Sequence, residues 1–354
     1  MMLIRSLESR RLAPAFLFLG VVIALLSACA EPPPDTLRLT GATMGTRYNI
    51  TWLSGRDQPS PEAVHLGVEA VLEAVNASMS TWREDSEISR FNAAAAETWY
   101  PLSQDFADLF EMARAVSEAS FGAYDVTVGP LVDLWGFGAA GMGADLGDEI
   151  PPADAIAEAL AKVGQQRLEF DRARPALRKP AAMSVDFSSI AKGYGVDRIA
   201  AWLEQQGIDR YLVEIGGEIR VAGNNPRNEP WRIAVERPQP GERAAQVAVT
   251  LHDAAVATSG DYRNFFEVDG VRYSHTIDPR TGAPVRHDLV SVTVIHESAA
   301  MADAWATALT VLGTERALEM ALEEELAVYL ISRDGEDFTA SSTPAMAPLL
   351  RNIE

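Results

Sequence analysis

The chain has 354 residues, of which 47% are hydrophobic, and it carries 50 Asp and Glu against 30 Lys and Arg. This composition excludes a disordered, collagenous or disulfide-built protein. The single cysteine, Cys29, excludes an intramolecular disulfide and any cysteine-ligated zinc or iron–sulfur site built from this chain alone. The net charge of −20 also argues against nucleic-acid binding, which needs clustered Lys and Arg.

The N-terminal residues have the pattern of a bacterial signal peptide. Three arginines precede an uncharged stretch over 12–30, and its apolar centre, 16–26, is shorter than the ~20 residues of a membrane-spanning helix. Small residues lie directly before Cys29, which resembles a bacterial lipobox. We therefore predict a lipoprotein signal peptide over 1–28 and lipidation of Cys29. The alternative is an ordinary secretory peptide with an incidental cysteine.

The same pattern predicts where the protein lies. Residues 29–36 would be the lipidated cysteine and a short, stiff, proline-rich tether, and residues 37–354 would be the folded domain. A lipid on Cys29 would anchor the chain to a bacterial membrane without spanning it. We expect a periplasm-facing protein of the cell envelope, with the inner membrane favoured.

Helical and strand patterns alternate irregularly through the rest of the chain. Ser60 can cap a helix with Pro61 at its first position, and a second helix should begin at Ser103 and stop at Gly122. Further helices are predicted over 152–163, 189–206, 298–312 and 314–324. Strand patterns cover 37–53, 211–222, 231–236, 246–258, 290–296 and 326–332.

Two Asp-Gly pairs, at 269–270 and 334–335, lie between strand-like runs and predict tight hairpins. At least part of the sheet should therefore be antiparallel. The sequence predicts an α+β fold, in which a single unit of mixed, partly antiparallel sheet packs with helices.

Glycine, proline and aromatic residues make the stretch over 125–138 irregular. Such a loop can cradle a flat ring. The alternative is a structural turn with Trp135 and Phe137 in the core. The overlapping stretch over 136–151 is glycine-rich and acidic, and it is either a lid or an ordinary surface loop.

The stretch over 186–197 leads from an apolar segment into a helix. Ser188 or Ser189 can cap this helix, so that the free amides of its first turn and the amine of Lys192 face a ligand. A helix N-terminus beside a lysine suits a phosphate or pyrophosphate. The alternative is an ordinary capped helix that carries a surface lysine.

Hydroxyl-bearing residues over 258–262 and 274–282 form a third cluster. Residues 278–282 have good turn chemistry, with Asp first and Pro second. His275 lies between hydroxyl side chains and is a candidate for acid–base chemistry, although a lone histidine is more often structural.

A fourth cluster is on the predicted helix over 298–312. Asp303 and Thr307 are four residues apart, which places a carboxylate and a hydroxyl on one helical face. Hard oxygen donors of this kind suit Mg²⁺, which keeps several waters and bridges phosphates. The alternative is a buried Asp–Thr hydrogen bond without a metal.

In combination these clusters resemble the ApbE family, the FAD:protein FMN transferases. Any one motif is weak, but eight of them in the family's order cover nearly all of the chain beyond the signal segment. They are found at 43–46, 79–82, 125–138, 186–197, 214–218, 258–262, 275–282 and 302–312.

The resemblance implies a single catalytic unit that binds FAD and Mg²⁺, joins FMN to a threonine of a client protein through a phosphoester, and releases AMP. By the same resemblance, the residues lining the FAD site would be Met44, Trp82, Tyr124, Asp125, Val126, Asp186, Lys192 and Ile277. The metal contacts would be Asp303, Thr307 and the backbone carbonyl of Ser189. Clients in the family are subunits of membrane redox complexes of the sodium-pumping NADH:quinone reductase or Rnf type.

His275 is the best candidate for the general base in such a transfer. The threonine hydroxyl must lose its proton as it attacks, and a neutral imidazole can accept it. Asp303 is a poorer candidate because a bound metal would occupy its lone pairs. Two rival functions are an Mg²⁺-dependent FAD pyrophosphatase and a non-catalytic flavin-binding lipoprotein.

Overall fold

The computed structural model describes residues 34–138, 150–238, 245–260, 265–268, 271–335 and 337–352. The predicted signal peptide, Cys29 and most of the glycine-rich loop lie outside the described residues. The described part of residues 36–354 forms one compact unit. No helix in the described ranges is long and apolar enough to cross a membrane.

Three of the long helices begin at a serine cap, and the caps at Ser60 and Ser103 lie where the sequence predicted them. The hydroxyls of Ser60, Ser103 and Ser298 each accept a hydrogen bond from a backbone amide of the helix that follows. The helices are α1 (Pro61–Met79), α2 (Glu87–Ala93), α3 (Gln104–Ala119), α4 (Gly129–Leu134), α5 (Ala153–Leu160), α6 (Ala191–Gln205), α7 (Ala299–Leu312) and α8 (Thr314–Glu323). Each of the six helices predicted from the sequence is present, with its bounds shifted by at most three residues.

The strands of the main sheet are β1 (Thr36–Thr43), β2 (Thr46–Leu53), β6 (Tyr211–Ile215), β7 (Glu218–Ala222), β10 (Ala254–Gly260), β15 (Leu289–His296), β16 (Ala327–Asp334) and β17 (Asp337–Ser342). They lie in the order β1-β2-β6-β7-β10-β15-β16-β17. Every neighbouring pair is antiparallel. The predicted α+β class is confirmed, and the main sheet is antiparallel throughout its described pairs rather than only in part.

Smaller sheets complete the fold. They are built from β3 (Tyr100–Pro101), β4 (Glu169–Asp171), β5 (Ala176–Arg178), β8 (Trp231–Glu236), β9 (Ala245–Leu251), β11 (Phe265–Val268), β12 (Val271–Ser274), β13 (Ile277–Asp278), β14 (Ala283–Pro284) and β18 (Leu350–Arg351). The strands on either side of both Asp-Gly pairs are antiparallel partners, which confirms both predicted hairpins.

The inner strands of the main sheet are covered on both faces, since their alternate residues join different core clusters. Val328 and Leu330 of β16 pack with the helices, whereas Tyr329 and Ile331 pack with the side chains of β8 and β9. This two-residue alternation is the expected period of a strand. The helices therefore lie on one face of the sheet and the β8–β9 layer on the other.

Three predicted strands are in fact pairs of strands. The run over 37–53 turns at Met44 and Gly45, which have φ angles of 49° and 71°. The run over 211–222 turns at two glycines, and the run over 246–258 is divided between β9 and β10, which belong to different sheets. Backbone with positive φ cannot continue a strand, and apolar periodicity alone does not reveal where it occurs.

Candidate active site

A cavity of about 440 Å³ brings residues of all four sequence clusters together. Its volume lies within the range of small-molecule sites, about 300–1,000 Å³. Its polar lining includes Tyr124, Asp125, Asp186, Ser188, Ser189, Lys192, Glu218, Thr258, Ser259, His275, Thr276, Asp303 and Thr307.

Lys192 lies between two buried carboxylates on the cavity wall. Its Nζ is 3.5 Å from Oδ2 of Asp303 and 3.4 Å from Oε1 of Glu218. Burial acts to lower the pKa of Lys192, but the charges of the two carboxylates outweigh it and raise the pKa above its ordinary value. Lys192 is therefore a fixed cation at the first turn of α6.

Asp303 is the most strongly perturbed acid of the cavity. Only 4% of the residue is exposed. Burial raises the pKa of its carboxyl well above the ordinary value, and the charge of Glu218 acts in the same direction, whereas Lys192 opposes both. One ammonium group is shared by two buried carboxylates, and such a site favours a further cation.

The close approach of α6 and α7 brings Lys192 to Asp303. A Cβ at Gly193 would lie 2.3 Å from the carbonyl oxygen of Ala299, so only glycine allows the two helices to pack at this distance. The amide of Gly193 donates to Oδ2 of Asp303 at 3.3 Å. The first turn of α6 thus contributes both an ammonium group and a backbone amide to the same carboxylate.

The predicted caps at Ser188 and Ser189 are wrong. The residue before α6 is Ile190, and no side chain caps the helix there. Ser188 instead donates its amide and hydroxyl to Asp186, and Ser189 donates its hydroxyl to Tyr124 at 3.0 Å. The amides of the first turn of α6 are partly used within the protein, because Ala191 donates to the carbonyl of Phe187 and Gly193 donates to Asp303.

The irregular stretch over 125–138 also contributes to the cavity wall. Asp125 accepts hydrogen bonds from the hydroxyl of Thr127 and from the backbone amides of Thr127 and Gln165. The carbonyl of Val126 accepts the amide of Asp186 at 2.7 Å. Backbone and side-chain hydrogen bonds therefore fix this wall against the segment that leads into α6.

His275 lies in the short connection between β12 and β13. Its ring packs edge-on against Phe137, with 6.2 Å between centroids. Phe137 in turn stacks on Phe266, and Phe266 stacks on Tyr273. A continuous series of aromatic contacts therefore holds the imidazole at the cavity.

Nine of the predicted site residues line the cavity, and three do not. Those that line it are Tyr124, Asp125, Asp186, Ser189, Lys192, His275, Ile277, Asp303 and Thr307. Met44 lies in the β1–β2 turn, Val126 is buried and contributes its backbone, and Trp82 is 63% exposed after α1. Their contact with FAD remains a prediction.

Sequence reasoning missed Glu218 as a site residue. It follows two glycines with positive φ and begins β7, and its side chain reaches Lys192. A glutamate directly after a Gly-Gly turn was the available signal, but only the pairing of strands shows that this turn faces α6.

The oxygen donors of the cavity fit Mg²⁺. The described ranges contain no group of three or more His, Cys, Asp or Glu that could hold a metal. Mg²⁺ in proteins is commonly bound through one or two carboxylates and keeps several waters. The available donors are the carboxylate of Asp303, the hydroxyl of Thr307 and the carbonyl of Ser189.

The fold matches that of solved flavin transferases. The structure of flavinyl transferase ApbE from Pseudomonas stutzeri, in its apo form, is 41% identical with a TM-score of 0.83, over 90% of this chain and 98% of that one. The flavin transferase ApbE of Vibrio cholerae is 40% identical with a TM-score of 0.82, over 90% of this chain and 100% of that one.

Sequence comparison agrees. The FAD:protein FMN transferase of Haemophilus influenzae is 41% identical over 342 residues, which is 95% of this chain and 98% of the relative. The model of the ApbE family matches residues 44–330. The chain belongs to the ApbE family.

Proposed function

We propose that this chain is an FAD:protein FMN transferase, which moves FMN from FAD to a threonine hydroxyl of a client protein with the help of Mg²⁺. The observation that carries the proposal is Lys192, held between Asp303 and Glu218 at the first turn of α6. The family membership of the chain supports the same function.

At the flavin-side phosphorus, the reaction forms one bond and breaks one. The threonine oxygen attacks the flavin-side phosphorus of FAD, a phosphoester forms, the bond from that phosphorus to the bridging oxygen breaks, and AMP leaves. The hydroxyl proton passes to a base. Negative charge develops on the pyrophosphate oxygens, so the transfer needs cations and hydrogen-bond donors directed at these oxygens.

The protein's own side chains can supply part of this positive charge and can hold the metal ion. The ammonium group of Lys192 would bind the pyrophosphate. Asp303, Thr307 and the carbonyl of Ser189 would hold Mg²⁺, which neutralises phosphate charge when it is bound. Tyr124 and Asp186 would fix the donor, since both line the cavity and are held by hydrogen bonds to neighbouring serines.

His275 is proposed as the general base. It lies on the cavity wall and is held there by the ring of Phe137. An imidazole that is not a metal ligand keeps a lone pair for the threonine proton. The base therefore comes from a different element than the groups that bind the phosphates and the metal.

The proposed setting is the bacterial cell envelope. Lipidation of Cys29 would anchor the domain to the inner membrane on its periplasmic side. The proposed clients are subunits of membrane redox complexes of the sodium-pumping NADH:quinone reductase or Rnf type, since such subunits would be reached by an enzyme tethered at the same membrane.

The test is a reaction of the purified full-length protein with FAD, Mg²⁺ and a client domain, followed by intact-mass measurement of the client. We expect a client that gains the mass of one FMN, and no gain when its acceptor threonine is changed to valine. Free FMN and AMP with an unmodified client would support the pyrophosphatase, and unchanged FAD would support a binding protein.

A further inference from the structure

Glu218 is a buried acid of the cavity to which the proposed function assigns no role beyond its ion pair with Lys192. The residue is 4% exposed and lies at the start of β7, opposite Ile215 of β6. Its Oε1 pairs with Lys192 at 3.4 Å. Its other oxygen, Oε2, is buried and has no hydrogen-bond partner among the described residues.

Another buried glutamate, Glu87, has no such unpartnered oxygen. Both oxygens of Glu87 are satisfied, since Oε1 accepts the amide of Ser103 and Oε2 accepts the hydroxyls of Ser78 and Ser103. A carboxylate oxygen that is buried without a partner costs on the order of 1–3 kcal/mol or more. Glu218 carries such a cost on the wall of the cavity.

The charges around Glu218 favour a cation as the missing partner. In the described lining, Asp125, Asp186, Glu218 and Asp303 face a single lysine, Lys192. An anionic donor alone would be repelled by this excess of acids. A hydrated divalent cation at Asp303 would balance them, and its water molecules would be hydrogen-bond donors for a nearby carboxylate.

We propose that Glu218 is a positioning residue of the cation site, and that its free Oε2 accepts a hydrogen bond from a water molecule of the bound Mg²⁺. This inference rests on the proposed function, because it places the cation at Asp303. Mg²⁺ retains several of its waters in protein sites, and carboxylates beyond the direct ligands orient such waters and tune affinity.

The inference is tested by Mn²⁺ binding to the full-length protein, measured by electron paramagnetic resonance without FAD and therefore without turnover. Glu218→Gln keeps the shape of the side chain and removes its charge, and it should weaken Mn²⁺ binding by about 10–100-fold. Glu214→Gln, the same change in the same hairpin, should leave the affinity unchanged. Wild-type affinity in Glu218→Gln would overturn the inference.

A double variant separates a direct role from an effect passed through Lys192. If Glu218 acts on the cation's water, Glu218→Gln should still weaken Mn²⁺ binding in a Lys192→Met background. If the loss disappears in that background, Glu218 only holds the lysine and the inference is wrong. Should Glu218→Gln fail to fold, Glu218→Asp takes its place, because the shorter side chain withdraws the oxygen and should also weaken binding.

Asp303→Asn distinguishes this inference from the proposed function. Loss of Mn²⁺ binding in Asp303→Asn, with wild-type binding in Glu218→Gln, would overturn the role of Glu218 alone. Unchanged binding in Asp303→Asn would overturn the metal site on which the proposed function depends.

Discussion

The carboxylate of Asp197, on α6, accepts a 2.7 Å hydrogen bond from the hydroxyl of Ser298, the residue that caps α7. It also accepts the first free amides of α7, from Ala299 and Ala300, each at 3.0 Å. Arg220 completes the group with a 2.8 Å ion pair. One side chain of α6 therefore fixes the N-terminus of α7, the helix that carries Asp303.

We predict that Asp197→Ala destabilises the domain by about 2–4 kcal/mol, because charge-assisted hydrogen bonds are lost and Arg220 loses the nearer of its two carboxylate partners. FMN transfer should fall as well, since the packing of α6 against α7 sets the Lys192–Asp303 distance. Urea denaturation measures the first effect. The exposed Asp209→Ala is the control, and equal midpoints for both variants would contradict the prediction.

The metal prediction concerns Asp303 and its helical neighbour Thr307. Asp303→Ala should lower transfer by about 10³-fold or more, because a cation on developing phosphate charge contributes several kcal/mol. EDTA should do the same to the wild-type protein. Excess Mg²⁺ should restore the EDTA-treated protein but not the variant, with circular dichroism showing that both are folded. Full transfer by metal-free protein would contradict this.

The prediction for His275 separates binding from chemistry. His275→Asn should bind FAD with nearly unchanged affinity but transfer FMN about 10²–10⁴-fold more slowly, which is the usual contribution of a positioned general base. The wild-type rate should fall at acidic pH, where protonation removes the lone pair, and the variant should lack this limb. Equal losses of affinity and rate would make His275 a binding or structural residue.

Lys179 is a buried lysine outside the cavity. It is 3% exposed, and its ammonium donates to the carbonyls of Phe91, Asn92 and Met183. Burial lowers the pKa of Lys179 below its ordinary 10.5. The unfolded chain therefore holds this proton more tightly, and the free energy of unfolding should rise with pH in the window just below 10.5.

Lys179→Met should remove this rise and should also cost about 2–4 kcal/mol at neutral pH, because three carbonyls lose their donor. Unfolding of the two proteins across the alkaline range measures both effects. Lys162→Met, at an exposed lysine paired with Glu158, is the control. Parallel pH curves for wild type and Lys179→Met would contradict the prediction.

The anchor prediction depends on Cys29, which lies outside the described residues. Cys29→Ser should release the protein from the membrane fraction or leave it unprocessed, because the chain has no other cysteine for a lipid thioether. Metabolic labelling with a fatty acid provides the measurement. A variant that still incorporates the label would contradict the lipoprotein assignment.

Much of the fold was predictable because its signals are local. The caps at Ser60, Ser103 and Ser298 fix where helices begin through contacts within one turn. The strand breaks were not predictable, because Met44 adopts a φ of 49° that nothing in its side chain favours. The pairing of every main-sheet strand with its neighbours also depends on contacts distant in sequence.

The residues of the cavity likewise fall into those that the sequence could identify and those that it could not. The sequence identified Lys192, His275 and Asp303 as candidates because polar residues interrupt apolar patterns at these positions. Glu218 was not, since its importance comes from a contact with Lys192 across two elements. The Ser189 cap failed because the hydroxyl bonds Tyr124, which is 65 residues distant in the chain.

The most direct test of the central claim counts AMP against flavin on the client in one reaction with Mg²⁺ and limiting FAD. Transfer predicts one AMP released for each client that carries FMN, no free FMN, and no AMP when the client is omitted or its acceptor threonine is valine. AMP and free FMN appearing at the same rate without a client would contradict the account and identify water as the acceptor.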